Sequence, residues 1–107
     1  MYIRQLSFSI IPGSEERAVA LCSRYAARLR AFGIPARIAI VRQGAFTLQL
    51  CEEYVSLEDL ESKRRFLDRN DMYHNELSTW ARDFYPLVQA ASPVLIVHEH
   101  EVGSLGA

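Results

Sequence analysis

His98 and His100 stand at i and i+2 in a run with strand character, so both imidazoles project from one face and Glu99 and Glu101 from the other. Paired imidazoles can chelate a metal or work as acid and base near neutral pH. No third ligand is visible in the sequence, and a strand end exposed to solvent gives the same alternation, so no metal is expected. His74 falls in the first turn of a helical pattern beside Tyr73, where it could face a cavity as a general base or simply cap the helix. Trp80, Phe84 and Tyr85 could wall a planar ligand, although aromatic residues at this spacing also build ordinary core. The Tyr85 hydroxyl, next to Pro86, needs a partner in either case. His74 and Tyr85 are therefore the catalytic candidates, with Gln5, Ser7, Gln49, Trp80, His98 and His100 as ligand contacts and no cofactor expected.

The two cysteines, Cys22 in a helical pattern and Cys51 in a strand pattern, have neither the number nor the spacing of a disulfide framework or a zinc site. They read as small buried hydrophobes. No Ser-His-Asp order, phosphate loop, dinucleotide glycine fingerprint or metalloprotease helix occurs, which removes the common hydrolase and nucleotide chemistries.

The chain that must position these residues has 107 residues, enough for one core, so a single domain over 1–107 is expected. Its composition is half apolar and 23% charged, that of a soluble globular protein. The longest unbroken apolar run, Ala18 to Cys22, is too short to cross a bilayer, and no signal-peptide pattern opens the chain, so the cytoplasm is the expected compartment. Net charge is −1, against a nucleic-acid partner, yet residues 1–50 hold seven Arg against Glu15 and Glu16 while the rest holds five bases against eleven acids. A fold whose halves interleave sets both signs side by side.

From Tyr2 to Ile11 the residues alternate, with Leu6, Phe8 and Ile10 opposite Gln5, Ser7 and Ser9, which predicts a half-buried strand. Pro12-Gly13-Ser14-Glu15-Glu16 combines a turn, a Ser N-cap and two acids suited to a helix start. Ala18, Leu21, Cys22, Tyr25, Leu29 and Phe32 form that helix's apolar stripe, and Gly33 with Pro35 ends it. Ala36–Arg42 and Phe46–Tyr54 predict an antiparallel hairpin around Gly44. Ser56 and Asp59 resemble a capping box for a helix from Leu57 to about Arg69, and Asn70-Asp71 restarts the chain into another helix. The stripe Tyr73, Leu77, Trp80, Phe84, Leu87, Ala91 extends that helix to Pro93, with a kink or break at Pro86, and Val94–Val102 is the last strand.

Four strands and two helical layers in this order predict an α+β, ferredoxin-like βαββαβ domain with a four-stranded antiparallel sheet. Both helical layers then cover one face. The other face, carrying Gln5, Ser7, Ser9, Thr47, Gln49, Cys51, Ala39 and Val41, is too mixed for a dry core and too uncharged for plain surface. A second copy would cover it.

The Ile11-Pro12-Gly13-Ser14-Glu15-Glu16 helix entry, the length near one hundred residues and the split helical stretch through Asn70-Asp71-Met72-Tyr73 resemble the dimeric α+β barrel proteins over the whole chain. That group contains antibiotic-biosynthesis monooxygenases, haem-degrading monooxygenases, stress-responsive barrel proteins and NIPSNAP-like proteins. The resemblance implies a homodimer with a small-molecule site between sheet and helices, often for aromatic substrates oxidised without metal or flavin. Asn70, His74 and Trp80 do not follow the order of the haem-degrading Asn, Trp and His, so those roles are not transferred.

Two readings follow, a cofactor-independent monooxygenase or a non-catalytic dimeric binding module. A third, an RNA-recognition domain, shares the strand order, and Arg42-Gln43-Gly44-Ala45-Phe46 resembles its aromatic strand motif. Leu48 and Leu50 stand where another stacking aromatic is wanted, and the net charge is slightly negative, so nucleic acid is not an expected partner.

Overall fold

Alternation at the start of the chain becomes strand β1 (Tyr2–Ile10), followed by helix α1 (Glu15–Ala31), strands β2 (Ala36–Gln43) and β3 (Ala45–Tyr54), and helices α2 (Leu57–Asp68) and α3 (Asp71–Phe84). A 3-10 turn at Tyr85–Leu87 leads to β4 (Val88–Ala91) and β5 (Leu95–His98). The computed structural model describes residues 1–98. His100, and the remainder of the strand expected to reach Val102, lie outside the described residues.

All strand pairings are antiparallel, in the order β2-β3-β1-β4, with β5 also on β1. β4 pairs with the Phe8–Ile10 end of β1 and β5 with the Tyr2–Gln5 end, so the two short strands lie end to end along one edge. The sheet therefore has five strands where four were expected. Pro86 is the cause of the difference: it has no N–H to continue the α3 ladder, and the chain tightens into a 3-10 turn. Val88 then takes extended geometry, and Val88–Ala91 pairs with the edge of β1. Leu87 and Ala91, expected on the helix stripe, belong to the turn and to β4. Pro93 ends no helix but sits in the gap between β4 and β5, beside a Ser92 N–H that donates to Ser7 O at 2.9 Å.

Helix ends follow local chemistry, with one exception. Gly33, at φ +84°, closes α1: its N–H donates to Arg30 O and the Ile34 N–H to Leu29 O, both at 3.0 Å. Leu29 and Ile34 are both buried, so the cap is also an apolar contact. Ser56 Oγ accepts from Asp59 N at 3.0 Å and Asn70 Oδ1 from Tyr73 N at 2.9 Å, starting α2 and α3. Ser14, expected as the α1 cap, makes no side-chain cap bond. Glu15 Oε2 instead reaches back to the Gly13 N–H at 2.8 Å, a carboxylate at the positive end of the helix.

The three helices cover one sheet face. Phe8, Ile10, Leu48 and Leu50 pack there against Ala18, Leu21, Cys22, Leu29, Leu67, Tyr73 and Phe84. Full burial of each large side chain contributes about 1.5–3 kcal/mol. The opposite face carries Gln5, Ser7, Ser9, Thr47 and Gln49, all partly exposed, with no helix over it. Among the described residues no helix is long and apolar enough to cross a membrane.

Candidate functional site

α1 and α3 lie side by side on the helical layer, and a groove of about 540 Å³ runs between them. The stripes that drive these helices onto the sheet also line the groove, because residues three and four apart share a face. Leu21, Arg24, Tyr25 and Arg28 come from α1; Tyr73, Glu76, Leu77, Trp80 and Asp83 come from α3.

Trp80 fixes the spacing of the two helices. Its Nε1–H donates to Leu21 O at 2.8 Å, and its ring stacks on Tyr25 at 4.7 Å and on Phe84 at 4.5 Å between centroids. One end of the groove is closed by Arg28, whose Nε and Nη2 each donate to a Glu76 carboxylate oxygen at 2.6 Å. That fork is planar on both sides, the strongest form of such a pair.

At the inner wall the Tyr25 and Tyr73 hydroxyls meet at 2.6 Å. One donates to the other, which leaves the pair one further O–H to give. Behind them lies a charged cluster under the helices. Glu52 is 1% exposed. Its Oε2 accepts from Arg4 Nη1 at 2.8 Å, and its Oε1 accepts from the Tyr54 hydroxyl at 2.5 Å. Arg64 of α2 brings Nη1 to 3.5 Å from Glu52 Oε1, an ion pair without hydrogen-bond geometry. That Nη1 is sealed from solvent and has no hydrogen-bond partner.

These groups act on one another. Burial, then the hydrogen bond with Tyr73 and the charge of Glu52, push the Tyr25 hydroxyl well above the ordinary tyrosine range. Burial and the hydrogen bond to Glu52 do the same to Tyr54. Burial works against the charge on Arg64, but the Glu52 carboxylate beside it more than compensates and raises its pKa above the usual value.

The residues singled out from sequence fall in three places. Trp80 is in the groove. His74 is exposed on the first turn of α3, its Nε2 2.8 Å from Asp68 O at the end of α2. Tyr85 is half exposed at the foot of α3, edge-on to Phe8 and Trp80 at 6.3 and 6.0 Å, outside the groove lining. Gln5, Ser7 and Gln49 lie together on the uncovered sheet face, where Ser7 pairs with Gln49 and Gln5 with Cys51 across β1 and β3. His98 pairs with Tyr2 in the sheet, and the two rings stack at 4.4 Å on the helix side. The structure therefore brings Gln5, Ser7 and Gln49 together, but places them across the sheet from Trp80 and His74.

Arg4, Glu52, Tyr54 and Arg64 were not among the sequence candidates, and Tyr25 and Tyr73 were read only as core. A signal was present. Arg4 falls on the Leu6-Phe8-Ile10 side of β1 and Glu52 on the Leu48-Leu50-Tyr54 side of β3, so each is a charge on the apolar side of an alternation. Among the described residues no group of three or more His, Cys, Asp or Glu side chains is placed to hold a metal ion.

This arrangement of one antiparallel sheet with helices on a single face recurs in solved structures. A NIPSNAP domain protein from Burkholderia xenovorans superposes with TM-score 0.71 at 9% identity, over 94% of this chain and 95% of the other. A NIPSNAP family protein from Agrobacterium tumefaciens gives 0.68 at 14% identity, over 97% and 90%. A candidate antibiotic biosynthesis monooxygenase from Deinococcus radiodurans gives 0.63 at 11% identity, over 94% of each chain. The chain shares the fold of the NIPSNAP and antibiotic biosynthesis monooxygenase structures. Neither a protein-family model nor a curated protein sequence matches it.

Proposed function

We propose that this protein is a homodimeric binding domain that takes a small aromatic molecule over the Tyr25, Tyr73 and Trp80 wall of the α1–α3 groove. One observation carries the reading: the groove is concave, of ligand size, mostly apolar, and edged by a few converging polar groups. Trp80, Tyr25 and Leu77 supply apolar wall, and the Tyr25–Tyr73 hydroxyls supply a polar group. His74 and Tyr85 flank α3 at its two ends and would take part only through a ligand that extends beyond the groove.

The dimer is supported by the uncovered sheet face. Gln5, Ser7, Ser9, Thr47 and Gln49 spread across its centre, and the exposed Leu95 and Val97 of β5 continue it. A second copy laid on this face would remove the apolar edge from water.

Trp80 is the only tryptophan, so its fluorescence reports on the groove directly. A panel of fused-ring aromatics should quench or shift that emission saturably and raise the melting temperature by binding the native state. Absence of both effects across the panel sinks the ligand reading. Sedimentation of the intact chain should give a dimer, and Gln49→Arg, at the centre of the uncovered face, should give a folded monomer.

A cofactor-independent monooxygenase is the second reading, favoured by an antibiotic biosynthesis monooxygenase among the similar structures. It requires that an aromatic which binds also consumes dissolved oxygen when mixed with the protein; a bound ligand left unchanged in air rules it out.

A further inference from the structure

The cluster behind the groove does not balance its charges. Arg4 and Arg64 both turn to one carboxylate, Glu52, which is 1% exposed, while the Arg4 and Arg64 side chains are 17% and 24% exposed. Two guanidiniums against one carboxylate leave one positive charge in a poorly solvated place. Glu52 accepts from Arg4 and Tyr54, whereas the buried Arg64 Nη1, 3.5 Å from Oε1, makes no hydrogen bond. A buried N–H without an acceptor costs free energy and is uncommon in folded proteins.

The two tyrosines of the groove wall, Tyr25 and Tyr73, are close enough to Arg64 to interact with its charge. Their mutual hydrogen bond leaves one O–H to donate, and a donor backed by a cation favours an anionic acceptor over a neutral one. Burial keeps the Tyr25 hydroxyl protonated through the neutral range, so it remains a donor.

We infer that the groove selects aromatic ligands carrying a negatively charged oxygen, held by the Tyr25–Tyr73 hydroxyl pair, with Arg64 as the positioning charge behind that pair. This rests on the groove being the ligand site and names the class of ligand it takes. The charged residues along the groove itself, Arg24 and Arg28 against Glu76 and Asp83, balance one another, so the preference comes from the cluster behind the tyrosines.

The test compares naphthoate with naphthamide, equal in shape and differing in charge, by titrating Trp80 fluorescence of the full chain at neutral pH. Naphthoate should bind about tenfold tighter or more, the effect of one charge-assisted hydrogen bond. Arg64→Met should bring the two affinities together by weakening naphthoate while leaving naphthamide nearly unchanged, whereas a purely structural role for Arg64 would weaken both alike. Arg64→Lys should keep the preference. Equal affinities in the unsubstituted chain overturn the inference while leaving the groove as a ligand site, and that result is independent of whether any variant folds. A preference that survives Arg64→Met also overturns it. If neither compound nor any other aromatic binds, this inference and the proposed function fall together.

Discussion

Arg4 and Glu52 are direct partners in the β1–β3 register, and their side chains meet at 2.8 Å beneath the helices, not at the solvent surface. A carboxylate that is 1% exposed depends on such partners, since an isolated ion in that position would be costly. Removing one member leaves the other charge buried. Glu52→Ala should therefore lower the unfolding free energy by about 3–5 kcal/mol, measured by urea denaturation. Glu52→Ala combined with Arg4→Met should cost less than the two single losses added, because the stranded charge has been removed with its partner. A loss below about 1 kcal/mol for Glu52→Ala would mean the cluster is effectively solvated.

Tyr54 and Tyr25 extend the same cluster into a pH dependence. Each hydroxyl titrates higher in the folded chain than its usual value of 10.0, first because burial disfavours the phenolate and then because of hydrogen bonds to Glu52 and Tyr73 respectively. A raised folded pKa gives stability that is full below the unfolded value and is lost as pH rises above it. Absorbance titration should show Tyr25 and Tyr54 ionising only together with loss of the fold. Reversible ionisation of Tyr25 and Tyr54 near pH 10 in the folded chain would contradict the buried network.

Much of this architecture can be read locally. The alternation of Leu6, Phe8 and Ile10 and of Leu48 and Leu50 marks the faces of β1 and β3, and Gly33 and Asn70 mark helix ends through their own backbone chemistry. The failure at Leu87 and Ala91 has a nonlocal cause. Both keep the helical period, but β1 offers Val88–Ala91 an unpaired edge, Phe8–Ile10, from the other end of the chain. The site divides the same way. Trp80 stands out as an aromatic on a stripe, whereas the cluster joins Arg4 to Glu52 and Tyr25 to Tyr73 across 48 residues in each case. Only the misplaced charge in each strand's alternation hinted at it.

Cys22 faces the core between α1 and the sheet, and burial pushes its thiol up to about 12. Thiolate is the reactive form, so Cys22 should resist disulfide reagents at neutral pH in the folded chain and react at once in denaturant. Cys51 is buried on the other sheet face beside Gln5, and a dimer through that face should protect it further. Cys22→Ser and Cys51→Ser variants would separate the two rates. Rapid labelling of the remaining Cys22 in native Cys51→Ser protein would show that the α1–sheet core opens more readily than its packing implies.

Asp59 provides an acid-side test that is independent of the cluster. Its Oδ2 accepts from the Val55 N–H at 2.9 Å, its carboxylate pairs with Lys63, and its own N–H donates to Ser56 Oγ, so it holds both sides of the α2 entry. The Val55 hydrogen bond first, and Lys63 second, hold its pKa below the usual 3.8. A depressed folded pKa gives stability that is present above the unfolded value and lost as pH falls through the folded one. The melting temperature should therefore decline as pH drops below about 4. Asp59→Asn should be less stable at neutral pH and should show a shallower decline, because the variant has no proton to take up at that position. Parallel acid profiles for the two proteins, measured by thermal unfolding from neutral pH downward, would mean that the carboxylate is not what anchors the start of α2.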